Sequence, residues 1–304
     1  MRLWLDTDLG SDVDDALALA YALHHPDIEL VGISTVFGDT ELRTRCVEAL
    51  LAIDGKPSIP VVTGLGKPLT ERRTGVMFGH EGKGLLSDPH PEMRVTANDE
   101  QEMERRIEQL AEGLHQTSPD YLVAIGPLTN LGALVARDHA LPPLAIMGGK
   151  SEGTTIPGMD DRIAEWNLFS DPVAARSVFE AQDGGEALIA PAEVTFRTAL
   201  ETSDLDALSD GNPLCVMLRT LCDQWLHFLA NSFGSKAPKV ALHDPLTVAM
   251  LVEPGLCPLE SRCVEVDDKG SLIPRSGSPN ARIATDVDLP ALRANLVETW
   301  LRNP

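Results

Sequence analysis

Apolar and polar positions alternate along this chain in blocks. A short run that is apolar throughout is followed by a polar loop and then by a stretch with helical spacing. Residues 2–5 read as the first strand, and residues 14–25 (DDALALAYALHH) as a helix closed by Pro26. Residues 28–36 (IELVGISTV) are rich in β-branched side chains and read as the next strand. The pattern continues with a helix over 40–53, stopped by Gly55 and Pro57, and a short strand over 60–63. An amphipathic charged helix is predicted over 99–115, a strand over 121–125 (YLVAI) and a helix over 129–137. A strand over 144–147, a helix over 171–180 and a strand over 187–189 follow. Beyond Asn212 the pattern is largely helical, including 214–231, with a late hairpin between 260–266 and 281–284.

Strands that are apolar throughout are buried on both faces, and helices between them supply the cover. The fold class is therefore α/β, a mostly parallel central sheet flanked by helices with a Rossmann-like core. No repeat or low-complexity linker divides the chain, so residues 1–304 read as one domain. The loops over 64–98 and 148–166 are long and Gly-rich, which in a domain of this kind points to function.

Composition narrows the partners. The formal net charge is −21, which argues against nucleic acid and against docking on an anionic membrane. No uninterrupted apolar run approaches the roughly 20 residues of a membrane span. Five cysteines with no CxxC read as reduced, mostly buried thiols of a cytoplasmic protein. The opening MRLWLDTD turns acidic too early for a secretory signal.

In an open parallel sheet, ligands bind at the carboxyl ends of the strands. Here the first strand is followed by Asp6, Asp8, Asp12, Asp14 and Asp15, and the second by Gly38-Asp39. YLVAI is followed by Gly-Pro-Leu-Thr129-Asn130, and LAIM by a glycine pair and a loop ending in Glu165 and Asn167. Five crowded aspartates need either raised pKa values or a bound cation. Carboxylates and carbonyls select a hard ion such as Ca²⁺ or Mg²⁺, and no His or Cys cluster suggests zinc. The plainer alternative is that Asp14 and Asp15 only favour the helix dipole, which leaves Asp6 and Asp8 unexplained. A calcium-binding EF-hand loop begun at Asp6 would need Glu where Leu17 stands. His243-Asp244-Pro245, ahead of another apolar run, is the second polar feature.

LDTDLGSDVDDALAL, GPLTN at 126–130, EWN at 165–167 with DP at 171–172, and HDP at 243–245 together resemble the inosine–uridine type nucleoside hydrolases. The four motifs stand in the family's order and span residues 6–245. The resemblance implies a small-molecule nucleoside substrate, a deep Ca²⁺ and a homodimer or homotetramer. It implies that Asp8 is both a metal ligand and the base that takes a proton from water. Asp15, Asp244 and the main-chain carbonyl of Thr129 would be further metal ligands. Asp14, Glu165 and Asn167 would hold sugar hydroxyls, with Asp39 near the ribose. His243 would lie by the nucleobase as a proton donor.

The chain departs from the family pattern in three places. Two extra residues separate Gly10 from the aspartate pair, so Asp12 competes with Asp14 for the sugar. Asp39 stands where many members have Asn, and Met159 stands six before Glu165, where Asn is frequent.

Glycosidic cleavage through an oxocarbenium-like transition state needs an activated water, negative charge around the sugar and a proton for the departing base. The acidic crevice meets these needs better than it would meet phosphate. A haloacid-dehalogenase-like phosphatase shares the strand ending in Asp-x-Asp, but Gly10 stands where Thr or Val is usual. A non-catalytic ribose- or Ca²⁺-binding relative would carry the same binding residues. The loops 64–98 and 212–236 would choose the base: His80 either reaches the pocket or stays on a surface loop, His227 is a candidate to stack on the base, and Trp225 either stacks there or faces the core.

Overall fold

Trp4 shows how the first strand is seated. Its side chain points to one face of the sheet while those of Leu3 and Leu5 point to the other, and all three are fully buried. The indole lies between two glycines: a Cβ on Gly32 would stand 2.1 Å from the ring, and one on Gly113 would stand 2.7 Å away. Its Nε1 donates to Ser34 Oγ at 3.0 Å. A strand buried on both faces can only be an inner strand of a covered sheet.

The computed structural model describes every residue except 72, 90–99, 157–163, 182–184, 233 and 303–304. In chain order the first half comprises β1 (Arg2–Thr7), α1 (Asp14–His24), β2 (Glu29–Thr35), α2 (Thr40–Ile53), β3 (Val61–Thr63) and α3 (Glu100–Thr117). It continues with β4 (Tyr121–Ala124), α4 (Thr129–Val135), β5 (Leu144–Met147), β6 (Lys150–Ser151), α5 (Trp166–Ser170) and α6 (Pro172–Glu180). The second half comprises β7 (Ala187–Ala190), α7 (Ala192–Thr195), α8 (Thr202–Ser209), α9 (Pro213–Ser232) and α10 (His243–Val252). It ends with β8 (Leu259–Arg262), β9 (Val264–Val266), β10 (Ser271–Pro274), β11 (Ala281–Ala284) and α11 (Leu289–Trp300).

Eight strands form the main sheet in the order β3-β2-β1-β4-β5-β7-β11-β8. All neighbours run parallel except β8, which pairs antiparallel with β11 at the edge. One face is covered by residues of α1, α2, α9, α10 and α11, the other by α3, α4 and α6. The chain winds outward from β1 in both directions, to β2 on one side and β4 on the other. The loops after β1 and β4 therefore part at their strand ends and leave a crevice there.

Two expectations change in detail. The late hairpin pairs 259–262 with 281–284, but residues 264–266 leave that sheet. They pair instead with β10, in a small second sheet completed by β6. The helix expected over 171–180 is preceded by a separate turn, α5, because Asp171 caps α6 by accepting from Ala174 N at 3.2 Å. Residues 99 and 159, named above, lie outside the described residues.

Candidate active site

A cavity of about 260 Å³ opens at the strand ends where β1 and β4 part. Two kinds of side chain line it: the carboxylates of Asp8, Asp12, Asp14, Asp15 and Asp244, and the rings of Phe78, Trp166, Phe196, Trp225 and His243.

The acidic group is built where two helices begin. α1 and α10 pack against each other, and Asp14, Asp15 and Asp244 stand in their first turns. One carboxylate oxygen from each lies within 4.8 Å of the other two. Both helix starts favour negative charge, yet burial raises all three carboxyls well above their usual range, and their mutual repulsion adds to this. Asp8 is 8% exposed on the adjoining wall, and its pKa is also raised by burial. Among the described residues Arg43 is the one cation that reaches it, with Nη2 3.9 Å from Asp8 Oδ2. One guanidinium cannot neutralise four buried carboxylates. Among the described residues this is the one compact group of metal-type donors, and it contains only carboxylates. That donor set fits a hard divalent cation.

The arrangement refines the expected division of labour. The tight group contains Asp14 beside Asp15 and Asp244, with Asp8 next to it. Asp12 is half-buried in the same cavity lining; burial pushes its carboxyl up to about 7, although it accepts from Val13 N at 2.5 Å. Asp6 does not reach the cavity. Its Oδ1 accepts from Ser34 Oγ and from Asn130 Nδ2, tying β1 to β2 and to the start of α4.

Glu165 and Asn167 also line the cavity. Glu165 caps α5, accepting from Gly149 N at 2.8 Å, Asn167 N at 2.6 Å and Leu168 N at 2.9 Å. Asn167 Nδ2 donates to Ile125 O at 3.0 Å and Met147 O at 3.1 Å, which leaves its carbonyl oxygen for a ligand.

Two expected residues are elsewhere. Thr129 is the first residue of α4 and fully buried; its hydroxyl donates to Asp171 Oδ2 at 2.7 Å, and it does not line the cavity. The residue after β4 that does is Ile125. Asp39 caps α2, accepting from Leu42 N at 3.0 Å, and likewise lies outside the lining.

Among the rings, an isolated bridge between Ala199 and Ala241 runs the chain leaving α7 beside the chain entering α10. This sets His243 against Thr195 and Phe196. His243 Nδ1 lies 2.7 Å from Thr195 Oγ1, and its ring meets Phe196 edge-on at 4.5 Å. Desolvation lowers its pKa to about 4, so the ring is neutral at pH 7. Trp225 is 9% exposed and borders the cavity, and its Nε1 has no hydrogen-bond partner among the described residues. His80 lies behind this wall, with its ring 4.2 Å from that of Phe228. His227 faces solvent.

Sequence reasoning did not single out Phe78, Trp166 or Phe196. They sit in loops or very short helices, where no periodicity marks a side chain as facing a cavity.

The family model described as inosine-uridine preferring nucleoside hydrolase matches residues 3–294. The chain is 30% identical over 306 residues to a pyrimidine-specific ribonucleoside hydrolase RihA of Salmonella paratyphi C (strain RKS4594), covering 93% of each chain. It is 30% identical to uridine nucleosidase 1 of Arabidopsis thaliana, covering 88% of this chain and 79% of that protein. Among solved structures, a purine-preferring ribonucleoside hydrolase from Gardnerella vaginalis superposes with a TM-score of 0.80 at 24% identity, covering 99% of this chain and 98% of that one. A plant nucleoside hydrolase, the PpNRh1 enzyme, gives the same TM-score at 23% identity and the same coverage.

Proposed function

This chain belongs to the inosine-uridine preferring nucleoside hydrolase family, and we propose that it hydrolyses the N-glycosidic bond of ribonucleosides to free base and ribose with the help of Ca²⁺. The observation that supports this most directly is a single cavity lined by both carboxylates and aromatic rings. A ribose with developing positive charge suits the carboxylates, and a planar base suits the rings.

Asp8, Asp15 and Asp244 would hold the cation, with Asp14 within reach of both cation and sugar. The ion, when bound, neutralises these carboxylates and lowers the pKa of a water. Asp8 accepts the proton of the attacking water, since it stands at the cavity wall beside the group and is not consumed as a cap. Asn167 offers its carbonyl oxygen, and Glu165 its carboxylate edge, to sugar hydroxyls. The remaining carboxylates stabilise the oxocarbenium-like transition state electrostatically.

His243 stands among the aromatic side chains that would receive the base. As a neutral ring, with Thr195 Oγ1 donating to its Nδ1, it would place a hydrogen bond from its remaining N–H on the departing base and stabilise the charge that develops there. Trp225 supplies an indole N–H to an acceptor atom of the base. The relatives carry both pyrimidine and purine names, so the base is a matter for assay. A homodimer or homotetramer in the cytoplasm completes the proposal.

The test is ribose release from uridine, cytidine, inosine and adenosine. Release from at least one is expected, lost on chelation and restored by added Ca²⁺. No release from any would favour the non-catalytic ribose-binding reading, and full activity in chelator would remove the cation from the proposal.

A further inference from the structure

One buried carboxylate has no part in the chemistry above. Glu81 is 4% exposed and lies outside the cavity lining. Its Oε1 accepts from Phe78 N at 2.6 Å and from Ser11 Oγ at 3.1 Å. Its Oε2 accepts from Gly79 N at 2.8 Å and from His80 N at 3.1 Å. Burial alone would raise its pKa; the amides of Phe78 and Gly79 and the nearby Arg43 outweigh that and hold the carboxyl below its ordinary value. It is therefore a saturated, ionised anchor for three consecutive amides.

The other side of the anchor is the aspartate loop. Arg43 is 1% exposed and donates to Phe37 O at 2.6 Å, to Asp8 O, to Leu9 O at 3.0 Å and to Ser11 Oγ at 3.1 Å. Ser11 Oγ thus accepts from Arg43 and donates to Glu81. A second strap joins the same loops: His80 Nε2 lies 2.6 Å from Ser11 O and, since a carbonyl only accepts, must carry the hydrogen.

This joint sets the aromatic wall. Phe78, just ahead of the anchor, borders the cavity and meets Trp166 at 5.9 Å and Phe228 at 5.8 Å. His80, just behind it, backs Trp225 at 5.8 Å. We propose that Glu81 is a positioning residue that pins the loop carrying Phe78 and His80 onto the aspartate loop, so that the base-facing wall is preformed and nucleoside affinity depends on a side chain that never touches substrate. The proposal rests on the hydrolase reading for the identity of the ligand, and its test separates the two.

The variants are Glu81→Ala and the conservative Glu81→Gln, with Ser11→Ala as a milder cut of the bridge should Glu81→Ala fail to fold. Hydrogen exchange at the amides of residues 78–80, nucleoside KM and kcat, inhibition by free ribose, and bound Ca²⁺ are measured on the whole protein. Amide exchange at 78–80 should accelerate by about a hundredfold or more in Glu81→Ala. Nucleoside KM should rise by about tenfold or more, with kcat changing less. Ribose inhibition and bound Ca²⁺, which involve the aspartates, Glu165 and Asn167 rather than the aromatic wall, should stay within about twofold. Glu81→Gln, which keeps one accepting oxygen, should fall between wild type and Glu81→Ala.

Unchanged exchange at 78–80 would overturn the proposal, and so would unchanged KM despite faster exchange. A parallel rise in KM and in the ribose inhibition constant would overturn it too, since Glu81 would then act on the whole scaffold. If the wild-type protein cleaves no nucleoside, the hydrolase reading fails separately. Nucleoside dissociation constants and amide exchange would still decide the role of Glu81.

Discussion

Single side chains divide the labour at this site, and substitution can test the division. Asp8 is tied into the structure through its carbonyl, which accepts from Arg43 Nη1, while its carboxylate faces the cavity. Asp8→Asn should therefore fold normally and lower kcat by about 10²–10⁴-fold, the usual worth of a general base. Circular dichroism and ribose-release kinetics check both halves of that statement; near wild-type kcat would remove Asp8 as the base. For His243 the observable is a ratio. His243→Ala should cost about tenfold more in kcat/KM on a natural nucleoside than on p-nitrophenyl riboside, whose leaving group departs without a proton. Equal losses would mean that the ring only orients Asp244. The acidic residues were legible in the sequence because aspartates so crowded have few explanations. What separates Asp6 from Asp8 was not. Both follow the same apolar run, and only the positions of Ser34 and Asn130 show that Asp6 serves the scaffold.

At the level of elements, the strands most legible in sequence were those buried on both faces, β1, β2, β4, β5 and β7, because a continuous apolar run has few other uses. The short pieces α5, α7 and β6 were not legible, since two to five residues carry no period and tertiary contacts decide them. The spacing between helices is set by small residues. Gly132 in α4 faces Ala174 of α6 so closely that an added Cβ would stand 2.6 Å from its Cα. Gly132→Ala should cost about 1–3 kcal/mol through overpacking, read as a lowered thermal midpoint. Because α4 follows directly on the strand end that carries Ile125, activity should fall with it. A fully stable, fully active Gly132→Ala would show that the two helices can part without cost.

For the whole molecule, the buried acidic cluster ties stability to pH and to metal. Burial raises Asp6 and Asp12 to about 7 and lifts Asp14, Asp15 and Asp244 well above the usual range. The metal-free folded state therefore holds more protons than the unfolded chain from about pH 4 up to pH 7 and beyond. Its stability is fully present below that window and declines as pH rises through it. In chelator the thermal midpoint should be lower at pH 8 than at pH 5.5. Ca²⁺ should raise it, and by more at pH 8, because only the ionised cluster binds the cation tightly. A midpoint in chelator that climbs from pH 5.5 to 8 would contradict the assignment of the cluster. The α/β class and the convergence of strand ends followed from the order of apolar and polar blocks. The aromatic wall did not, since it joins residues near positions 78, 166, 196, 225 and 243, which meet only once the sheet order is known.

The placement of the indoles has an optical consequence. The chain has four tryptophans. Trp4 and Trp300 are fully buried, donating to Ser34 Oγ and Leu17 O at 3.0 Å each, remote in contact from the cavity. Trp166 and Trp225 line it. Emission from the first pair is a constant internal reference, while emission from the second pair changes when a stacked base excludes water. Steady-state fluorescence of the unlabelled protein therefore reports occupancy directly. Trp225→Phe and Trp166→Phe would divide the signal between the enclosed wall and the rim without any attached dye.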